Sequence, residues 1–260
     1  MPTVSIVMPA YNEEKYIVRA VDSILKQTYK DFEFIIVNDC STDATEAMVR
    51  SINDDRIILV SNDINLGVAG SLNKGIAMSR GKYIARMDAD DYASCDRLMR
   101  QYEFMESNPS VGLAGSWCYL VRGGDEATAE EIRMPVGHNE IVEYLKKDNP
   151  FIHSSILMRR HVFDECGPYK LEKGMEDYDL FIKIAEKYKT HILPHFLVTR
   201  NEDNNIETKK TYDGLNLYKM YKMRLKYQLI AIKKFGFTCM CPWYLTRTML
   251  RIVQHRIFLK

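Results

Sequence analysis

Between residues 3 and 91 the chain alternates short apolar runs with segments apolar on one helical face, and this alternation limits the fold more than any other feature. Thr3 to Met8 is short and mostly apolar, as in a strand buried on both sides. The next segment places Tyr16, Ile17, Ala20, Val21, Ile24 and Leu25 on one face at helical spacing. Phe32 to Val37 predicts a second strand, Ile57 to Val60 a third and Tyr83 to Met87 a fourth. Between them, Ser41 or Thr42 can cap a helix holding Ala44, Ala47, Met48 and Val49, and Gly67 to Ser79 predicts a helix with Val68, Leu72 and Ile76 in register. The pattern predicts an α/β fold with a mostly parallel central sheet flanked by helices.

Ligands of such sheets gather at the carboxyl ends of the strands. Those ends carry Pro9 to Glu13, Asn38 to Asp43, and Asp88 to Asp91, all rich in acids or amides. Beyond residue 91 the pattern loosens. Helices are expected over Arg97 to Ser107, Ile141 to Lys147 and Asp177 to Lys187, strands over Val111 to Ser116 and Ser154 to Met158, and a charged, glycine-rich loop over Val121 to His138. Residues 1–91 read as a ligand-binding half, 92–213 as a second half and 214–260 as a tail.

Asp88, Asp90 and Asp91 put three carboxylates within four residues at a strand end, a costly repulsion unless a cation or donor groups offset it. Hard oxygen ligands suit Mg²⁺ or Mn²⁺, which complete their shells with phosphates and water. A solvated acidic turn ahead of the helix at Arg97 is the other reading, and Glu176 with Asp177 equally suits a plain helix start.

The ordered set Val4 to Glu13, Ile36 to Asp43, Asn65-Leu66-Gly67, Asn73-Lys74-Gly75, Asp88-Ala89-Asp90, Asn149 to Ser155 and Gly174 to Leu180 resembles the family 2 glycosyltransferases of the GT-A fold. The match covers about residues 3 to 200. The resemblance implies a nucleotide-binding half joined to an acceptor half, a bound Mn²⁺ or Mg²⁺, and transfer of a sugar with inversion from a nucleotide-sugar donor, UDP favoured, to a carbohydrate or lipid-linked acceptor. Carried over by position, Pro9, Ala10, Tyr11 and Glu13 would meet the nucleoside, Asp39 the base, and Asp88 with Ala89 the ribose side. Asn65, Asn73, His153 and Arg200 would complete the donor site. Asp90 would hold the metal, Asp177 would be the general base and Glu176 its neighbour. A histidine that relatives often carry downstream of Arg200 is absent here, where the chain reads Asn201-Glu202-Asp203-Asn204-Asn205.

Net charge is +1, but Gly214 to Lys260 carries ten Lys and Arg and no acid, leaving about −9 on the rest. On a helical wheel, Leu217, Tyr218, Tyr221, Leu225, Leu229 and Ile232 oppose Lys219, Lys222, Lys226 and Lys233. A second segment from Trp243 to Leu259 mixes aromatic and aliphatic residues with Arg247, Arg251 and Arg256. Such faces suit peripheral contact with an anionic bilayer. Packing on the chain's own body or on another subunit is the alternative. The acidic body disfavours nucleic acid. No run reaches the roughly 20 apolar residues of a spanning helix, no export signal is evident, and six scattered cysteines fit reduced thiols. The expected location is cytoplasmic, at the inner face of the cell membrane.

Two rivals remain at this stage. A sugar-nucleotide-forming nucleotidyltransferase would need a glycine-rich basic loop after the first strand, which Pro9 to Glu14 is not. A catalytically silent nucleotide-sugar-binding protein would not need Asp90 and Asp177.

Overall fold

The structure, a computed structural model, describes residues 1–171, 174–202 and 217–257, leaving out the side chains of Leu217 and of residues 255–257. Parts of the sequence reading, including Asp203 to Asn205 and the chain end beyond Ile257, lie outside the described residues. Strands β1 (Val4–Ala10), β2 (Phe32–Asn38), β3 (Ile57–Ser61) and β4 (Tyr83–Arg86) alternate with helices α1 (Ile17–Leu25), α2 (Thr45–Arg50) and α3 (Gly67–Met78). The four strands are mutually parallel, in the order β3-β2-β1-β4.

The sheet as a whole is mixed, which corrects the expectation of a mostly parallel one. It continues through β8 (Leu157–Arg159), β6 (Val111–Arg122), β9 (Lys189–Glu202) and β5 (Tyr92–Ala93), with β7 (Asp125–Ile132) paired to β6. Only β6 and β9 are parallel there; β8 runs against both β4 and β6, β7 against β6, and β5 against β9. The nine strands curl into a half-barrel within a single domain. The segment expected as a loop over Val121 to His138 is instead mostly a hairpin. Gly123 and Gly124 both take positive φ, 61° and 76°, which a two-residue turn joining twisted strands requires. Its second strand is almost wholly exposed, so no buried alternation marked it in the sequence.

The buried residues of β1 alternate between two cores. Val4, Ile6 and Met8 pack with α1, β2 and α4 (Arg97–Ser107), while Val7 packs on the other face with α3 and the later helices. Helix α1 buries Ile17, Ala20, Val21 and Ile24; each larger side chain contributes about 1.5–3 kcal/mol by leaving water. On the second face, a Cβ on Gly75 would lie 2.5 Å from Val7 Cγ1, so glycine there lets α3 approach β1 closely. The helix expected after Ser41 or Thr42 starts at Thr45, and its leading amide is met by Asp43, 2.9 Å from Thr45 N.

The second core is closed by α5 (His138–Leu145), α6 (Arg160–Cys166), α7 (Glu176–Lys187) and the helix α8 (Leu217–Phe235), which is followed by α9 (Cys241–Ile257). Tyr227 and Ala231 of α8 are fully buried in this core, and Gln228 Nε2 donates to the Lys147 carbonyl at 2.8 Å. Arg224 pairs with Asp148 and Lys234 with Glu186. Helix α8 therefore packs on the body through the 224, 227, 228 and 231 positions, while Leu229, placed on the apolar side by the wheel, is exposed. Among the described residues no helix is long and apolar enough to cross a membrane.

Candidate active site

The strand order makes β1 and β4 neighbours while β2 lies on the far side of β1, so the direction of winding switches between β1 and β4. Crevices open at such points beyond the strands' carboxyl ends. The loops after β1, β2 and β4 meet there. The first two are laced together: Thr42 N donates to Asn12 Oδ1 at 2.8 Å, Glu13 N to Thr45 Oγ1 at 2.7 Å, and Ala44 N to Glu14 Oε2 at 3.0 Å. Asn12 sits at φ 56°, a left-handed conformation that asparagine tolerates better than most residues and that turns the chain out of β1. Tyr11 stands 47% exposed beside it, leaving its ring available to a planar ligand.

Asp88, Asp90 and Asp91 converge beyond β4, with one oxygen of each within 4.8 Å of the others. Burial, followed by the charges of Asp91, Asp88 and Glu13, holds the Asp90 carboxyl well above the usual range. Burial and Asp88 push Asp91 up to about 6, against the opposing pull of Ser154, Arg200 and the Asn201 amide. This is a pocket of negative charge in want of a cation, and its hard oxygen donors fit a divalent ion. The cluster comprises the three carboxylates picked out in the sequence and is broader than the single ligand Asp90 that the resemblance implied.

Arg86 supports this cluster from within the sheet. Its guanidinium, 4% exposed, grips both oxygens of Asp88, and its Nη1 donates to Ser154 Oγ at 3.0 Å. The Ser154 hydroxyl also lies within reach of Asp88 (2.7 Å) and of Asp91. With one proton it serves one carboxylate at a time. Beneath them, buried Arg97 donates to the carbonyls of Arg86 (2.9 Å) and Ile156 (3.2 Å). Burial and the Arg86 charge lower its pKa to about 9.

A second acidic centre lies at the start of α7. Asp177 accepts from Asn149 Nδ2 at 2.7 Å and from the Tyr178 amide at 2.8 Å. Burial, then the charge of Glu176, push its carboxyl up to about 7. Glu176 accepts from the Gly174 amide at 2.9 Å. Between the two centres stand His153 and Tyr169, with Nε2 and the phenol oxygen 3.0 Å apart. Burial, Arg86 and Arg200 hold the histidine well below its ordinary value, so its ring is neutral at pH 7. The Tyr169 phenol lies within electrostatic reach of Arg86, Asp177, Glu176 and Asp88, so both acidic centres lie near it.

Other residues singled out in the sequence occupy varied positions. Asp39 ties down the loop before α3, accepting from Asn62 Nδ2 at 2.7 Å and from the Leu66 and Gly67 amides at 2.8 Å each. A carboxylate offers about four lone-pair positions, so one acceptor position is unused, on a residue only 3% exposed. Asn65 donates to the Asp39 carbonyl at 3.3 Å. Asn73 exchanges two bonds with the Tyr169 backbone, 2.9 and 3.0 Å, and so bolts α3 to the Tyr169 loop. Pro9, Ala10 and Ala89 are buried, so Ala10 and Ala89 can offer a ligand only their backbone. Arg200 is exposed on β9, yet its charge reaches Asp91 and His153. Sequence reasoning gave no role to Arg86, Ser154, Asn149 or Tyr169, although Asn149 and Ser154 lie in a motif that carried the resemblance. A charge inside the apolar run Tyr83 to Met87 was the available signal for Arg86.

The model of glycosyl transferase family 2 matches residues 5–167. The chain belongs to this family. This glycosyltransferase is 34% identical over 231 residues to an uncharacterised glycosyltransferase of Methanocaldococcus jannaschii, covering 86% of this chain and 79% of that one. It is 42% identical over 187 residues to the UDP-Glc:α-D-GlcNAc-diphosphoundecaprenol β-1,3-glucosyltransferase WfaP of Escherichia coli, covering 72% of each. Among solved structures, TarS 1–349 of S. aureus in complex with UDP-GlcNAc superposes with a TM-score of 0.74 at 18% identity, over 96% of this chain and 72% of that one, and so shares the fold.

Proposed function

We propose that this glycosyltransferase transfers a sugar with inversion from a nucleotide-sugar, a UDP-sugar in first place, to an acceptor hydroxyl in the synthesis of a surface polysaccharide, lipopolysaccharide or glycolipid. The observation that carries the reading is the pair of acidic centres near Tyr169, one fitted to a cation and one holding a carboxyl that burial pushes up to about 7. The names of WfaP and of the TarS complex support UDP donors, and that of WfaP a lipid-diphosphate acceptor.

In this reading Tyr11 stacks on the base, Asp39 accepts from its imide, and Pro9, Ala10, Glu13 and Asn65 shape the nucleoside pocket. Asp88, fixed by Arg86, faces the ribose side with Ala89. Asp90 holds Mn²⁺ or Mg²⁺ with Asp91 beside it. The bound ion supplies charge stabilisation for the departing diphosphate oxygens. Arg200 and neutral His153 border the diphosphate, and Asn73 acts through the Tyr169 loop. Across the cleft, Asp177 takes the proton of the attacking hydroxyl, with Glu176 supporting the acceptor. Its affinity for protons suits that role, because a base works best with a pKa near the working pH. One carboxylate acting in a single displacement inverts the anomeric carbon.

The two halves, 1–91 and 92–213, then bind donor and acceptor, and residues 214–260 bring the enzyme to the inner face of the membrane as a peripheral protein. Incubation with a panel of nucleotide sugars, Mn²⁺ and lipid-linked sugar acceptors tests the reading. Acceptor-dependent release of nucleoside diphosphate, with an inverted product by NMR, is expected. Absence of release across the panel, or a retained anomer, would overturn it.

A further inference from the structure

A cavity of about 250 Å³ opens between α5, the turn that follows it, α8 and α9. Lys147, Arg224, Arg247 and Arg251 line it against one carboxylate, Asp148, which pairs with Arg224. Two of the cations are held in place: Arg251 Nη1 donates to Tyr221 Oη at 2.7 Å, and Lys147 Nζ lies 4.8 Å from the centre of the Tyr144 ring. Gln228, which also lines the cavity, is 2% exposed, and its Oε1 has no partner, nor does the buried Arg224 Nε. Like charges gathered in this way repel one another unless an anion sits among them. The excess of positive charge along this wall suits a ligand that carries oxyanions.

The mouth of the cavity lies beside an apolar ridge. Trp243, Arg247 and Leu250 follow one another at i, i+4 and i+7 on α9, and Trp243, Leu250 and Val253 are 62%, 59% and 53% exposed. Phe237, in the turn before α9, is 67% exposed. An inward face of the same helix, marked by buried Cys241 and Thr248, is already covered. A second copy of the α8–α9 pair is a poor partner for this ridge, since residues 217–257 contain no acid to meet its cations.

From this juxtaposition we propose that the cavity binds the phosphate-bearing head of a membrane lipid, whose chain runs along the Trp243–Leu250 ridge. The proposal rests on the reading that the acceptor is membrane-borne. Two sources share this chemistry: a bulk anionic phospholipid, and the diphosphate of a lipid-linked acceptor. The second source would tie the cavity to catalysis. Asp148 at its wall is followed directly by Asn149, whose amide holds Asp177.

The test uses the full chain in the presence of a chelator, so that cation-bridged binding at the aspartate cluster does not contribute. Sedimentation is measured with phosphatidylcholine vesicles containing either phosphatidylglycerol or a polyprenyl diphosphate at matched charge, and inorganic pyrophosphate binding is measured by calorimetry. The double variant Lys147→Gln/Arg247→Gln should bind pyrophosphate and both anionic vesicles roughly tenfold to thirtyfold more weakly, from two lost cationic contacts. Trp243→Ser/Leu250→Ser should lose vesicles while keeping pyrophosphate. Preference for polyprenyl diphosphate over phosphatidylglycerol would assign the site to the acceptor, and equal binding to bulk lipid. Unchanged pyrophosphate and vesicle binding in the charge variant would overturn the proposal. Nucleoside diphosphate binding with Mn²⁺, measured on the same variants, separates this outcome from failure of the donor reading.

Discussion

The side-chain amide of Asn149 lies 2.7 Å from Oδ2 of Asp177 and donates to it, joining the turn after α5 to the first turn of α7. A donor in this position favours the ionised carboxylate, against the burial and the Glu176 charge that oppose it. Asn149→Ala should therefore lower turnover and move the acid limb of the rate profile upward. Since Asp177 must be ionised to accept a proton and titrates at about 7, wild-type transfer should rise with pH through that value. A pH series of initial rates for both proteins checks this; an acid limb near pH 4 in the wild type would show that burial does not hold the Asp177 carboxyl up in the working enzyme, and an unmoved limb in Asn149→Ala would show that the Asn149 bond does not tune it.

Asp177→Asn should keep the helix-start geometry but lose proton acceptance. Transfer should fall by roughly 10² to 10⁴, the usual contribution of a positioned base, with donor affinity near wild type. Glu176→Gln should cost less. Nucleotide-sugar titrations alongside acceptor-dependent turnover distinguish the two roles.

Asp90→Ala should lose cation-dependent donor binding and turnover together. Turnover at the wild-type rate with an unchanged Mn²⁺ response would show that the ion is held elsewhere.

The acidic cluster also predicts a pH-dependent response to cations. Asp90 and Asp91 have folded pKa values raised above their unfolded ones, Asp91 to about 6, so the folded state binds the extra protons. Their contribution to stability is present below the unfolded value near 4 and is lost as pH rises past the folded value. A divalent ion that binds only the folded state reverses that loss. Melting curves with and without Mn²⁺ should show a larger gain at pH 8 than at pH 5, and equal gains would argue against the cluster as the site.

Tyr227 is fully buried against the ring of Tyr178, their centroids 5.6 Å apart. Tyr227→Ala should destabilise the enzyme by about 3 kcal/mol, the lower end for large aromatic deletions, and removing residues 214–260 should destabilise it further. Chemical denaturation measures the first directly. A truncated chain as stable as the full one would mean that α8 adds nothing to the core.

From the sequence alone, the four parallel strands, the helices between them and the loops at their carboxyl ends could be read, because short apolar runs and period-3.6 patterns are local properties of a chain. The acidic triplet and the Glu176-Asp177 pair were visible for the same reason. The antiparallel course of β8 was not, since strand direction depends on which partners a segment finds after long connections. Nor was the exposed strand β7, whose residues carry no buried face. Only the tertiary structure brought Arg86 to Ser154, Ser154 between two carboxylates, and Asn149 to Asp177, pairings between side chains up to 68 positions apart that burial makes strong. It also decided that α8 buries Tyr227 in the catalytic body and leaves Leu229 outside. Helical periodicity fixes which residues share a face, but the shape of the neighbouring surface selects the face that is covered.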